Sequence, residues 1–141
     1  MAGNSARDVV TGFYADFDRG DVDAALASCS EELEVTDPGM GTVQGLEPFR
    51  EYLTTFKRAM PDAHVIVEDI VEVDGTVVVE GRFAGTHTGP LAGPDGDIDP
   101  TGASLELRFA DVSRIRDGKI ASYHTYYDQV ALLTQLGLMD G

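Results

Sequence analysis

Near the end of the chain, Tyr123-His124-Thr125-Tyr126-Tyr127-Asp128-Gln129 sets a histidine and a carboxylate four positions apart among three tyrosines. These side chains can move protons. An aspartate walled by rings loses water, so its pKa rises; it becomes a stronger base and, once protonated, a usable acid. Strand alternation would put Ser122, His124, Tyr126 and Asp128 on one face and Ala121, Tyr123, Thr125 and Tyr127 on the other. Both sets are mixed, so periodicity leaves open which face is inward. It also leaves open an edge strand ending in a helix cap at Asp128.

Three further segments carry polar chemistry. His87 falls on the apolar face of its strand, at the strand's end, where either a satisfied core histidine or a pocket-mouth residue fits. Asp37 precedes Pro38-Gly39, where an aspartate commonly accepts hydrogen bonds from nearby amides. Asp95-Gly96-Asp97-Ile98-Asp99 imitates the start of a calcium loop and Glu106 falls at its twelfth position, but Pro100 stands where the loop needs glycine. No metal is therefore expected, and three histidines without clustered acids make no zinc site. The lone Cys29, within an apolar run, reads as a buried inert thiol. No phosphate loop, dinucleotide fingerprint or G-x-S-x-G is present.

The elements that must position these groups are legible from period and punctuation. Ser5 can cap a helix whose stripe is Val9, Phe13 and Phe17, stopped near Gly20. Asp21 can cap a short helix over Val22–Ala27, and a brief strand over Leu33–Thr36 follows. A third helix tolerates Pro48 in its first turn, shows Phe49, Tyr52, Leu53, Phe56 and Met60 on one face, and ends at Pro61. From Ala63 the period becomes 2. Val65, Val67 and Val71 precede a turn at Asp74-Gly75, and Val77, Val79, Gly81, Phe83, Gly85 and His87 then share one face. After a loop from Gly89 to Gly102, Leu105, Leu107 and Phe109 face inward, Arg116–Lys119 turns, and Val130–Leu138 closes as a helix-like tail. Helices followed by antiparallel strands predict an α+β fold, in which a twisted sheet and three helices make a cone with an open mouth. A cone of that kind suits a small-molecule pocket.

Composition narrows the partners. The 141 residues match one domain, 1–141, with an ordinary 43% apolar content. A net charge of −15, spread along the chain, disfavours nucleic acid and anionic membranes. The opening MAGNSARDVV has no apolar signal segment and no stretch reaches membrane-spanning length, so a cytoplasmic protein is expected.

Two segments, Gly85-Thr86-His87-Thr88-Gly89-Pro90-Leu91 and Arg116-Asp117-Gly118-Lys119-Ile120 continuing through Asp128-Gln129 to Leu136-Gly137, resemble the SnoaL-like polyketide cyclases of the NTF2-like superfamily. The helix order and Phe13-Tyr14…Gly20-Asp21 agree, so the resemblance covers nearly the whole chain. It implies an NTF2-like cone: a strongly curved antiparallel or mixed sheet against about three helices from the N-terminal half. It also implies a cofactor-independent cyclase or isomerase that closes a ring by intramolecular aldol chemistry on an aromatic, polyketide-like substrate, as in antibiotic biosynthesis. The family's acid on the final strand matches Asp128, which would turn the even face inward and make His124 its neighbour. His87 matches a pocket histidine. These three are the expected catalytic set, with Tyr14, Phe17, Asp37, Phe49, Phe56, Phe83 and Tyr126 expected to bind substrate. Tyr123 and Tyr127 would then lie on the outer face, at a homodimer contact. Other readings on the same fold are a non-catalytic binding module, a ketosteroid-isomerase-like enzyme and an epoxide-hydrolase-like enzyme.

Overall fold

The computed structural model describes residues 5–93 and 96–139. Helix α1 (Ala6–Asp18) begins where Ser5 Oγ accepts the Asp8 N–H at 3.1 Å and buries Val9, Val10, Phe13, Tyr14 and Phe17 on one face. Asp21 caps α2 (Val22–Ala27) through the Ala24 N–H. Strand β1 (Cys29–Asp37) is longer than its apolar core suggested, and β2 (Gly41–Gln44) folds back on it. Helix α3 (Leu46–Ala59) has Pro48 in its first turn and stops before Pro61. Lys57 crowns its C-terminal end, donating to the carbonyls of Asp18 and Ala63.

Strands β3 (His64–Val73) and β4 (Thr76–Thr86) form a hairpin, as do β7 (Ser104–Arg116) and β8 (Lys119–Tyr127). Both turn through Asp-Gly pairs with positive φ at each residue: Asp74 51° and Gly75 81°, then Asp117 54° and Gly118 76°. That conformation matches the twist of paired strands, and an Asp-Gly pair tolerates it. The expected loop after Gly89 contains a small hairpin of its own, β5 (Leu91–Gly93) with β6 (Gly96–Ile98). Asp97, from the calcium-like segment, there pairs with Arg58 at 2.8 Å; Asp95 lies outside the described residues. Helix α4 (Gln129–Gln135) closes the chain.

The main sheet runs β2-β1-β8-β7-β4-β3. It is mixed, because β1 and β8 are parallel while the other neighbours are antiparallel. Helix α1 lies across β3, β4, β7 and β8, and α3 packs on β1. Gly85 lets α3 come close, since a Cβ there would stand 3.1 Å from Met60 Cβ. The α+β cone expected from the sequence is the observed architecture. Among the described residues no helix is long and apolar enough to cross a membrane.

One irregularity decides what the cone holds. The β7–β8 register slips by a residue between Arg114 and Ile115, leaving Ala121 without a partner: Ile115 faces Ile120, but Arg114 faces Ser122. A one-residue slip moves every later side chain to the opposite face. Ile120 is therefore inward, and beyond the bulge so are Tyr123 and Thr125, 9% and 4% exposed. The even face, expected inward, is the outer one.

Candidate active site

Along β7, Leu105, Leu107 and Phe109 continue their inward parity into Asp111 and Ser113. Asp111 is 2% exposed, a carboxylate in the middle of the core. Two phenols meet it. Tyr14 of α1 donates its hydroxyl to Asp111 Oδ2 at 2.7 Å, and Tyr123 of β8 donates to the same oxygen at 2.9 Å. Asp111 Oδ1 has no hydrogen-bond partner among the described residues. Thr125, opposite Asp111 in the β7–β8 ladder, lines the same space. Burial pushes the Asp111 carboxyl up to about 6, against a weaker pull downward from the nearby Thr125 hydroxyl, which makes no hydrogen bond to Oδ1, and from the Tyr14 and Tyr123 hydroxyls. Burial, and then the neighbouring Asp111 charge, raises both tyrosines well above the usual phenol value.

A second carboxylate repeats the arrangement. Asp37, at the end of β1 and 4% exposed, accepts the Gly39 and Met40 N–H groups on Oδ1 at 2.7 and 3.0 Å. Its Oδ2 accepts the Tyr52 and Tyr127 hydroxyls, each at 2.8 Å. Four tyrosines thus form one polar wall, pinned at two points by aspartates.

Beside this wall, within the cone, lies a cavity of about 70 Å³. Asp111, Thr125 and all four tyrosines line it, facing Phe13, Phe17, Phe56, Phe83 and Phe109. The rings pack edge to face or tilted, as between Tyr52 and Phe56 at 5.1 Å and Phe56 and Phe83 at 5.7 Å. Asp111, Tyr14, Tyr123 and Thr125 are buried at the floor, whereas Tyr52, Phe56, Phe83 and Tyr127 are half-buried around the mouth.

Of the expected substrate-binding residues, Tyr14, Phe17, Phe56 and Phe83 line this cavity. Asp37 stands behind the wall and reaches it through its two tyrosines. Phe49 is fully buried in the core, stacked on Phe13 at 5.7 Å, and does not line the space. Tyr126 is 52% exposed on the outer face.

The expected catalytic set is not brought together. Asp128 is exposed, and its Oδ1 caps α4 by accepting the Ala131 N–H at 3.0 Å. His124 points outward, with Nε2 2.8 Å from Glu34 Oε2. His87 is fully buried but away from the cavity lining; its Nδ1 accepts the Thr101 N–H and lies 2.9 Å from Thr101 Oγ1, tying the end of β4 to the segment before β7. Tyr123 and Tyr127 are wall residues rather than outer-face ones. Asp111, Tyr52 and Thr125 were missed as site residues. The signal for Asp111 was present: an aspartate continuing an inward apolar alternation is a buried carboxylate.

The sequence and the fold are similar to those of known proteins. The SnoaL-like polyketide cyclase family matches residues 8–136. No curated protein sequence matches the chain. IdmH of Streptomyces antibioticus, assigned as a polyketide cyclase, is 27% identical with a TM-score of 0.80, covering 95% of this chain and 99% of its own. A protein of Pseudomonas putida with the same assignment is 25% identical, TM-score 0.78, over 95% and 99% of the two chains. A SnoaL-like protein of Jannaschia sp. CCS1 shares the fold at 18% identity and TM-score 0.83, over 99% of both chains. With its cone and a match across nearly all its length, this chain belongs to the SnoaL-like polyketide cyclase family, enzymes of the cyclase/isomerase type.

Proposed function

We propose that the chain closes a ring by a cofactor-independent intramolecular aldol reaction on an aromatic, polyketide-like substrate, with Asp111 as the acid/base. The observation that carries this reading is the fully buried Asp111 carboxylate, whose Oδ2 is held by two phenols while Oδ1 is left unpartnered. Asp128, by contrast, is occupied as an exposed helix cap.

Oδ1 takes a proton from a carbon flanked by carbonyls, and the electron pair delocalises into an enolate. The enolate carbon bonds to a second carbonyl carbon of the same molecule, whose oxygen becomes an alkoxide. Protonated Asp111 returns its proton to that alkoxide, so the carboxylate is regenerated. Tyr14 and Tyr123 hold the carboxylate's direction, and the rings hold the reacting carbons together in a dry space. A cavity of 70 Å³ takes no more than the reacting end of a polycyclic molecule, so the remainder extends through the mouth. In the same reading the functional unit is a homodimer in the cytoplasm.

A simple probe tests the chemical step. In D2O, the protein should accelerate deuterium wash-in at the central carbon of 1-phenyl-1,3-butanedione, followed by NMR. The rate should rise with pH through a midpoint of about 6, as Asp111 ionises. Asp111→Asn should lower it at least about 100-fold, the lower range for general acid–base catalysis. A variant with an undiminished rate would overturn the assignment. Probe binding without any exchange would favour a non-catalytic binding module.

A further inference from the structure

The mechanism above leaves one buried carboxylate unused. Asp37 does not touch the cavity, yet all four of its hydrogen bonds are accounted for: two from the β1–β2 turn and two from the cavity phenols Tyr52 and Tyr127. A phenol has one proton to donate, and here both donate to the carboxylate. What Tyr52 and Tyr127 retain toward a ligand is lone pairs. At these two residues the cavity thereby offers acceptors only.

Placement supports a role in recognition. Tyr52 and Tyr127 are half-buried, and Tyr52 with Phe56 also lines a solvent-open groove beside Met40 and Val43, so Tyr52 stands where the cavity nears the outside and Tyr127 adjoins it through Asp37. Asp111 lies at the buried floor. A substrate that reacts at the floor sets its far end beside these two phenols, which Asp37 Oδ2 holds together. A hydroxyl there finds acceptors; an ether or carbonyl oxygen brings a second acceptor against them and loses its water unpaired. Sites built around buried polar groups reject the unmatched analogue strongly.

We propose that Asp37, acting through Tyr52 and Tyr127, is the specificity-determining group of the cavity and selects substrates with a phenol or enol hydroxyl at the end remote from the reacting carbon. This rests on the cavity being the substrate site but does not require Asp111 to be the base. Asp37 is a positioning residue, since it reaches the ligand only through the phenols.

The experiment is binding, read separately from turnover, with 2-naphthol and 2-methoxynaphthalene titrated by calorimetry. The native protein should prefer the naphthol at least about tenfold, the worth of one well-placed hydrogen bond with its unmatched alternative. In Tyr52→Phe/Tyr127→Phe the preference should collapse to within about twofold, with the methyl ether bound no more weakly. Asp111→Asn should keep the preference while losing deuterium exchange, which separates this claim from that of the chemical step. A preference that survives in the double phenylalanine variant, or one lost in Asp111→Asn, would overturn the proposal, as would no binding of either probe. Thermal unfolding of each variant, with a cooperative transition, certifies the fold.

Discussion

At the residue scale the central fact is a carboxylate kept where charge is costly. Asp111 is buried, its two phenol bonds do not fully replace lost water, and its carboxyl is pushed up from 3.8 to about 6. Between those two values the folded chain holds a proton that the unfolded chain has released. Stability therefore falls as pH rises through this window, by about 3 kcal/mol in all, at 1.36 kcal/mol per pH unit. Above pH 6 the folded protein carries the whole cost; below pH 4 it carries none. Asp111→Asn removes the titration. The variant should be more stable than the native chain at pH 8 by about 3 kcal/mol less whatever its amide loses in hydrogen bonding, and the gain should vanish near pH 3.5. Urea unfolding at both values measures it. A native chain whose stability rises from pH 4 to pH 7 relative to the variant would show that Asp111 is not held above its ordinary value. In the proposed mechanism the group that destabilises the fold is the one that serves the reaction, a familiar exchange of stability for function.

At the element scale, the last strand and the helix after it divide the labour differently from their sequence. Tyr123, Thr125 and Tyr127 build the wall, while Asp128 begins α4. Replacing Asp128 by Ala should cost about 1 kcal/mol, the usual worth of an N-cap, and leave the exchange rate within about twofold. Thermal unfolding and the deuterium assay check the two halves of this statement, and a 100-fold loss of rate would return the catalytic role to Asp128. The elements themselves were legible because their signals are local: the Ser5 and Asp21 caps, the Pro61 stop, and the Asp-Gly turns. Tyr14, Phe17, Phe56 and Phe83 were legible as lining for the same reason, since a helix stripe or strand face fixes their direction. The face of β8 was not. Its direction depends on the bulge at Ala121, which arises in the pairing of two strands and leaves no mark in either alone. The convergence of Tyr14 on Asp111, or of Tyr127 on Asp37, is equally non-local, because each joins elements about 90 residues or more apart in the chain. The β1–β8 parallel pairing, which brings Asp37 beside Tyr127, is of the same kind.

At the scale of the whole molecule, the outer sheet face remains to be matched with a partner. Val71 and Val73 of β3 and Tyr126 of β8 are 51%, 62% and 52% exposed there. The net charge of −15 opposes self-association in general. On this face Arg82, Arg108 and Arg114, with outward parity on β4 and β7, offset part of the acidic charge, and Arg82 pairs with Glu68 and Glu106. A second copy meeting it would cover the valines and Tyr126 and set arginines against the acidic residues of its partner. The expected outcome in size-exclusion chromatography is a two-chain species, strengthened by moderate salt because long-range repulsion between like-charged chains is screened within about 10 Å at 0.1 M. Val71→Asp/Tyr126→Asp should yield a monomer that still prefers 2-naphthol, since the cavity opens on the other side of the sheet. A native chain that elutes as a monomer at every concentration and salt would remove the dimer. A variant that remains dimeric would move the contact to another face.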